Sequence, residues 1–480
     1  MYVPIAGWMP DADSTIQGVL TDVEDMIPTL TAYAGAPTQA SSGLAALAAE
    51  CRGAAAVSLL DDSTVLFAGT QTKLYKAGTT TWEDVSVAGD YTGSTSSRWC
   101  FTQQGNVTLA CNKVDNSQAY VHGSSTDFAA VSGMPKAALV EAVGNFVLIG
   151  NYNDGTDTVD GWGCSALGDY TDWTPSTTTL CTYGRLYDTP GPLTALKRLM
   201  DYAVYYKRKS MYLARYVGEP NAWEFSLVSD IIGAVSQESV VRVGTVHYFL
   251  GDENFYSYDT NTVAPIGEPI REWFNTNCNN ARRTSVVAVN DKVRGLIYWY
   301  FPLGTSTTLN AYVAYNYRNG KWGKGTQSVE TALQYVAAGY SYDDLDTRYT
   351  TYDAYPSVPY DELSPAGKTA IPAVFDTSHA LKLLNGLTTS CSLTTGDFGQ
   401  DGGITLLSRV RPRYTVTGTG TMTTYHRDGP GETLTTGATT SGTLKFDTLR
   451  SARWHRFKLS FTGPVELSGA DVTLQAEGEE

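Results

Sequence analysis

The chain has 480 residues, 42% hydrophobic and 17% charged, with a formal net charge of −15. That length and balance describe a folded protein of one large or two to three ordinary domains and argue against disordered and membrane classes, since no run approaches the roughly 18 apolar residues of a spanning helix. Seven cysteines, odd in number, scattered and never in a CxxC pair, argue against a disulfide framework and a zinc site and read as small core residues.

Met1 to Trp8 carries no basic leader and no apolar core before a cleavage site, so synthesis and folding in a cytoplasm are expected. Residues 1–50, with Trp8, Pro10 and Pro28, read as an extended amino-terminal arm that packs on a neighbour or on the ring and could add a strand to the last blade. The best helical candidate in the chain is Ser42 to Glu50, short and alanine-dominated. Otherwise 46 Gly, 31 Tyr, 10 Trp and abundant Ser and Thr describe many short strands joined by tight turns.

From residue 51 the pattern repeats: apolar strand, polar turn, aromatic-rich strand, turn, and a strand near a Trp or Phe. Such units run Ala54–Val87, Ser97–Ser132, Ala137–Pro175, Leu193–Ser229, Ser239–Gly267, Thr284–Thr326 and Thr369–Gly386. In the hairpin "DYAVYYKRKSMYLARY", Tyr202 to Tyr206 and Met211 to Tyr216 are apolar on nearly every residue, which implies burial on both faces of the sheet. Hairpin sheets covered on both faces, at a spacing near the roughly 40 to 50 residues of a four-stranded blade, predict an all-β chain whose residues 51–392 form a β-propeller of about seven blades. Residues 327–368, with repeated Tyr-Asp pairs and prolines, read as an excursion across the outside of the ring. Residues 393–480 alternate as strands with Gly and Pro turns and predict a carboxy-terminal β-sandwich-like domain.

A search for chemistry returns no catalytic, cofactor-binding or metal-binding residue. The five histidines, His122, His247, His379, His426 and His455, are isolated in sequence, and no HExxH, GxSxG, GxxxxGK[ST] or GxGxxG motif is present in a fitting context. The Asp-rich turn Gly168 to Pro175 lacks the SxDxGxTW order of sialidase propellers and reads as a turn that places Trp173 in the core. Asn151 to Asp160 could offer oxygens to calcium, but without an EF-hand glutamate it reads as a solvated turn. Lys207, Arg208 and Lys209 read as a hairpin tip that meets an acidic neighbour rather than nucleic acid.

The phrases "GDYTDWTPST", "LYDTPGPLTALKRLMDYAVYYKRKSMYLARYVGEPNAWEFSLVSDIIGAVSQESVVRVGTVHYFLGDENFYSYD", "PIGEPIREWF", "RGLIYWYFP" and "YNYRNGKWG" resemble the propeller of the tail nozzle proteins of short-tailed bacteriophages, also called tail tube or packaged-DNA stabilisation proteins. The arm "WMPD...DVEDMIPT" and the terminal "SARWHRFKLSFTGPVELSGADVTLQAEGE" extend the resemblance over most of the chain. It implies a structural virion protein without catalytic residues or cofactors. The subunit would join a hexameric ring below the portal and adaptor proteins, beside tail fibre or tail needle proteins, in a tail made in the host cytoplasm. Such a ring retains packaged genomic double-stranded DNA and conducts it on ejection without sequence-specific binding. An acidic lining would suit that task, because it repels a passing duplex and lets it slide.

Two other readings are compatible with a propeller. A glycan-binding or polysaccharide-degrading propeller predicts exposed aromatic rings clustered with two or more carboxylates in one pocket. A host-encoded interaction scaffold predicts a monomer that binds a cellular partner.

Overall fold

The computed structural model describes residues 1–60, 63–336, 370–400, 402–429 and 431–478. Six four-stranded antiparallel sheets stand as separate blades: 54–84, 100–130, 136–185, 193–229, 240–265, and 331–386 completed by Thr38–Ser41. The β-propeller expected from the repeat is present, with a blade count that departs from the expected seven. The difference lies in residues 287–329. Their four antiparallel strands end in Trp322–Val329, which pairs onward with Met26–Pro28, so this unit is one end of a ten-stranded sheet rather than a free-standing blade. It nevertheless sits in the ring, because the first strand of each unit packs beside the first strand of the next, from 54–58 round to 331–335 and back.

The hairpin Tyr202–Lys207 and Met211–Gly218 shows why the ring forms. Every residue from Ala203 to Lys207 is buried, so both faces need cover and a neighbouring blade supplies it on each side. Tyr205 packs with the 136–185 blade and Tyr206 with the 240–265 blade. Fully burying such a side chain contributes on the order of 1.5 to 3 kcal/mol.

The first 41 residues are not a free arm. Tyr2–Pro4 pairs with Gly469–Asp471, Val19–Glu24 with Ser392–Thr395, Tyr33–Gly35 with Glu466–Leu467, and Thr38–Ser41 closes the last blade against Lys382–Gly386. Two packed sheets made from residues 390–478 and this arm adjoin the propeller, and one continuous core runs from Met422 and Phe457 through Trp8 and Leu20 to Phe255, Trp299 and Trp322.

Two expectations are corrected. Ser42 to Glu50 is irregular, not helical: Leu44 and Leu47 pack on the 54–84 and 331–386 blades, and so short a run cannot meet the nucleation cost of a helix alone. The one α-helix among the described residues, Arg271–Asn277, starts where the Asp11 carboxylate accepts the Glu272 and Trp273 N–H groups at 2.7 and 2.9 Å. Of the expected outer excursion, Gln327 to Val329 and Thr331–Tyr335 are strand, and the part from 337 onward lies outside the described residues.

Candidate functional site

The axis of the ring is the first place to look for function, and side chains cross it. Arg98, just before the 100–130 blade, donates from Nη2 to Glu238 Oε1 at 3.1 Å, and its Nε meets the other carboxylate oxygen. Glu238 lies in the short turn before the 240–265 blade. Those two blades are not neighbours, so the pair spans the opening. Arg98 also reaches the Glu330 carbonyl at 3.4 Å, while the Glu330 carboxylate holds the Cys51 N–H at 2.8 Å and His379 Nδ1 at 2.5 Å. Burial raises the pKa of Glu330, opposed by the bonds from Cys51 and His379. Gln237 adds a second cross-tie, bonding both backbone groups of Leu196 and the Cys100 thiol. A duplex cannot thread a ring closed by an ion pair.

The basic cluster differs from its expectation. Lys207 is 1% exposed, with its ammonium donating to the carbonyls of Leu186 and Thr189, and burial lowers its pKa. It anchors the 136–185 blade's exit to the next blade. Arg208 is held by Asp252 at 2.7 Å, and Lys209 approaches the same carboxylate at 3.9 Å. Of the three cations, Lys207 is therefore buried on carbonyl oxygens and Arg208 is ion-paired within its own chain, while Lys209 stays largely exposed beside the shared Asp252. Sequence reasoning missed this because Asp252 is 44 residues away, on the corresponding turn of the neighbouring blade.

The candidate carboxylates are likewise engaged. Asp169 accepts the Thr171 N–H and hydroxyl, which lower its pKa, and Asp172 accepts the Thr174 N–H. These bonds shape the turn that delivers Trp173 into the core between two blades. In the 151–160 segment, Asn153 caps Gly155, Asp157 pairs with Lys113 and Asp160 with Arg185. No three His, Cys, Asp or Glu side chains among the described residues converge as a metal site.

The histidines are structural in their contacts. Tyr206 Oη lies 2.8 Å from His247 Nδ1, and Nε2 lies 3.0 Å from the Arg198 carbonyl. A tyrosine hydroxyl donating on one side and a carbonyl accepting on the other fix the neutral Nε2–H tautomer. Burial pushes the His247 pKa down to about 3. His426 and His455, far apart in sequence, face each other on paired strands, a juxtaposition that only the register reveals. The strand partners Cys100 and Cys111 are likewise directly opposite. Asp397 shows the same limit: its buried carboxylate takes Arg427, Arg456 and the Ser14 hydroxyl, partners from three separate stretches.

Two clefts remain. One, of about 480 Å³, lies where Leu30, Pro37, Arg294, Leu387, Pro464 and Glu466 bring the arm, the propeller and the sandwich together. The other, of about 380 Å³, lies between the 193–229 and 240–265 blades and is lined by Lys209, Asp230, Ile231, Ile232, Asp252, Glu253 and Tyr256.

No family model and no curated protein match the chain. Among solved structures it is similar to YCF48 in a peptide-bound form, at 12% identity and TM-score 0.35, over 63% of this chain and 87% of that one. It is also similar to the computationally designed protein Ika8, at 8% identity and TM-score 0.36, over 72% and 100% of the two chains. A chain of the mitotic checkpoint complex matches at 10% identity and TM-score 0.39, over 78% and 96%. Similarity this distant says nothing of function. The blades described above rest on this chain's own strand pairing.

Proposed function

We propose that the chain is a structural subunit of a ring-shaped conduit, the tail nozzle of a short-tailed bacteriophage, which extends the portal and adaptor channel, retains packaged DNA and conducts it on ejection. The observation that carries this reading is the internal use of Lys207 and Arg208 in a chain of net charge −15. A wall that must not grip DNA needs its cations buried or paired within its own chain, as Lys207 and Arg208 are, since free ones would hold phosphates by counterion release. The crossed axis adds a constraint: a conduit would run between copies of the subunit, not through one propeller. The sequence resemblance to nozzle proteins supplies the ring of six and the neighbours above and below it.

The glycan reading has one observation in its favour, the cleft in which Tyr256 lies with Asp230, Asp252 and Glu253. Against it, Asp252 is committed to Arg208, and Tyr256 is the one aromatic ring among the described residues that lines this cleft.

Electron microscopy of the chain mixed with portal and adaptor proteins tests the proposal. The expected image is a sixfold ring with an axial channel between subunits. A lone propeller that never enters a ring, together with saccharide binding lost on Tyr256→Ala, would replace the conduit by the glycan reading.

A further inference from the structure

A sheet edge is an invitation to pair, and folded proteins blunt it with charge, proline or brevity. Most outer edges of this fold are blunted in those ways. Trp82–Asp84 ends in two carboxylates, Ala129–Ala130 has two residues, Thr182–Arg185 carries an arginine, and Ala222–Ser229 carries Glu224. Val263–Pro265 ends in proline, Thr38–Ser41 has four residues, Gly7–Trp8 has two, and Phe446–Ala452 carries Asp447 and Arg450. Among the described strands, Thr435–Gly442 stands apart. It is the last strand of the seven-stranded sheet, eight residues long, and it reads TTGATTSG, with neither charge nor proline. Thr419–Arg427 pairs one of its edges, and among the described residues no strand hydrogen-bonds the other, although Phe446–Ala452 packs near it and brings Arg450 against Gly437. Beside it in the chain Leu444 is 70% and Leu449 78% exposed.

We propose that this edge is an interface at which a second copy of the chain adds a β-strand. The choice of occupant follows from charge. At net −15, copies repel one another over most of their surface, and they can meet only where no carboxylate is brought against another. From Thr433 to Leu444 there is no charged residue at all. Main-chain hydrogen bonds along the strand supply the pairing, as in other strand additions, and Leu444 and Leu449 supply the apolar area that a bare edge lacks. The inference holds whether or not the assembly conducts DNA.

Sedimentation of the full chain over a wide concentration series, with amide hydrogen exchange at both ends of it, tests the edge. The expected result is a discrete oligomer at high concentration, with new protection confined to 435–442 and its flanks. T436K/S441K places two cations on exposed positions of this strand and should weaken association about tenfold or more, with the melting temperature unchanged. A chain that stays monomeric throughout with freely exchanging edge amides overturns the proposal. So do polydisperse aggregates, or a variant that associates as tightly as the parent. Failure here leaves ring formation with portal and adaptor to be judged on its own image.

Discussion

His247 is a neutral imidazole locked between a donor and an acceptor, and pH reads that lock directly. Its folded pKa, near 3, lies below the roughly 6.5 of an unfolded histidine. Below pH 6.5 the unfolded chain takes up a proton that the folded chain refuses. The stability from this group is therefore complete above about 6.5 and declines by about 1.4 kcal/mol per pH unit as the pH falls toward 3. Urea unfolding at a series of pH values, compared with His247→Gln, should show the parent losing stability more steeply over that window by one proton. Parallel curves would place the imidazole in water. Trp299 and Trp322 sit at the other extreme, with no charge to titrate. Each is buried, each donates its indole N–H to a carbonyl at 3.1 Å, and Phe255 packs 5.0 Å from both rings. Trp299→Ala or Trp322→Ala should cost about 3 to 5 kcal/mol, read as a drop in the urea midpoint at unchanged slope.

At the scale of elements, ring closure is the most consequential pairing. Thr38–Ser41 is the outer strand of a blade whose other strands begin nearly 300 residues later, with Ala40 opposite Leu383. Ala40→Pro removes a strand N–H and should destabilise the last blade by about 1 kcal/mol. Hydrogen exchange should then rise in Ile371–Phe375 and Leu381–Gly386 before it rises in the 136–185 blade. A uniform rise over all blades would mean the ring opens as one unit. The same element shows what sequence could and could not reveal. The unbroken apolar run of Tyr202 to Tyr206 announces a sheet covered on both faces, and repetition of that pattern leads to a propeller. Closure of the last blade was legible as a strand the arm could add there, but not its place at residues 38–41, because a four-residue polar strand carries no periodicity to read. The merging of 287–329 with the arm was not legible, since Lys324 meets Met26 across a separation no local pattern encodes. The partners of Lys207 and Asp397 were hidden for the same reason: charge in a sequence has sign but no address.

On the scale of the whole molecule, net charge and the disposition of cations lead to a binding prediction. Arg185, Arg208, Arg409 and Arg413 each face a carboxylate of this chain within 3 Å, and Lys324 is shared by Asp22 and Glu24. Individually such exposed pairs contribute little stability, about 0 to 1 kcal/mol. Their effect is on the field: a cation beside its own carboxylate offers a phosphate almost no net attraction. Duplex DNA should therefore bind the isolated chain more weakly than the ~10⁻⁴ to 10⁻⁶ M typical of non-specific binders at physiological salt, and fluorescence anisotropy should show almost no dependence on salt. The double variant D252N/E253Q frees Arg208 and Lys209 from their acidic turn. It should bring in measurable binding with a negative salt slope, because uncompensated cations release counterions from the duplex. Micromolar binding by the parent with a steep slope would mean that a basic track exists despite the net charge, which would count against the proposed conduit. The contrast between parent and variant thus separates a wall that lets a duplex slide from one that holds it.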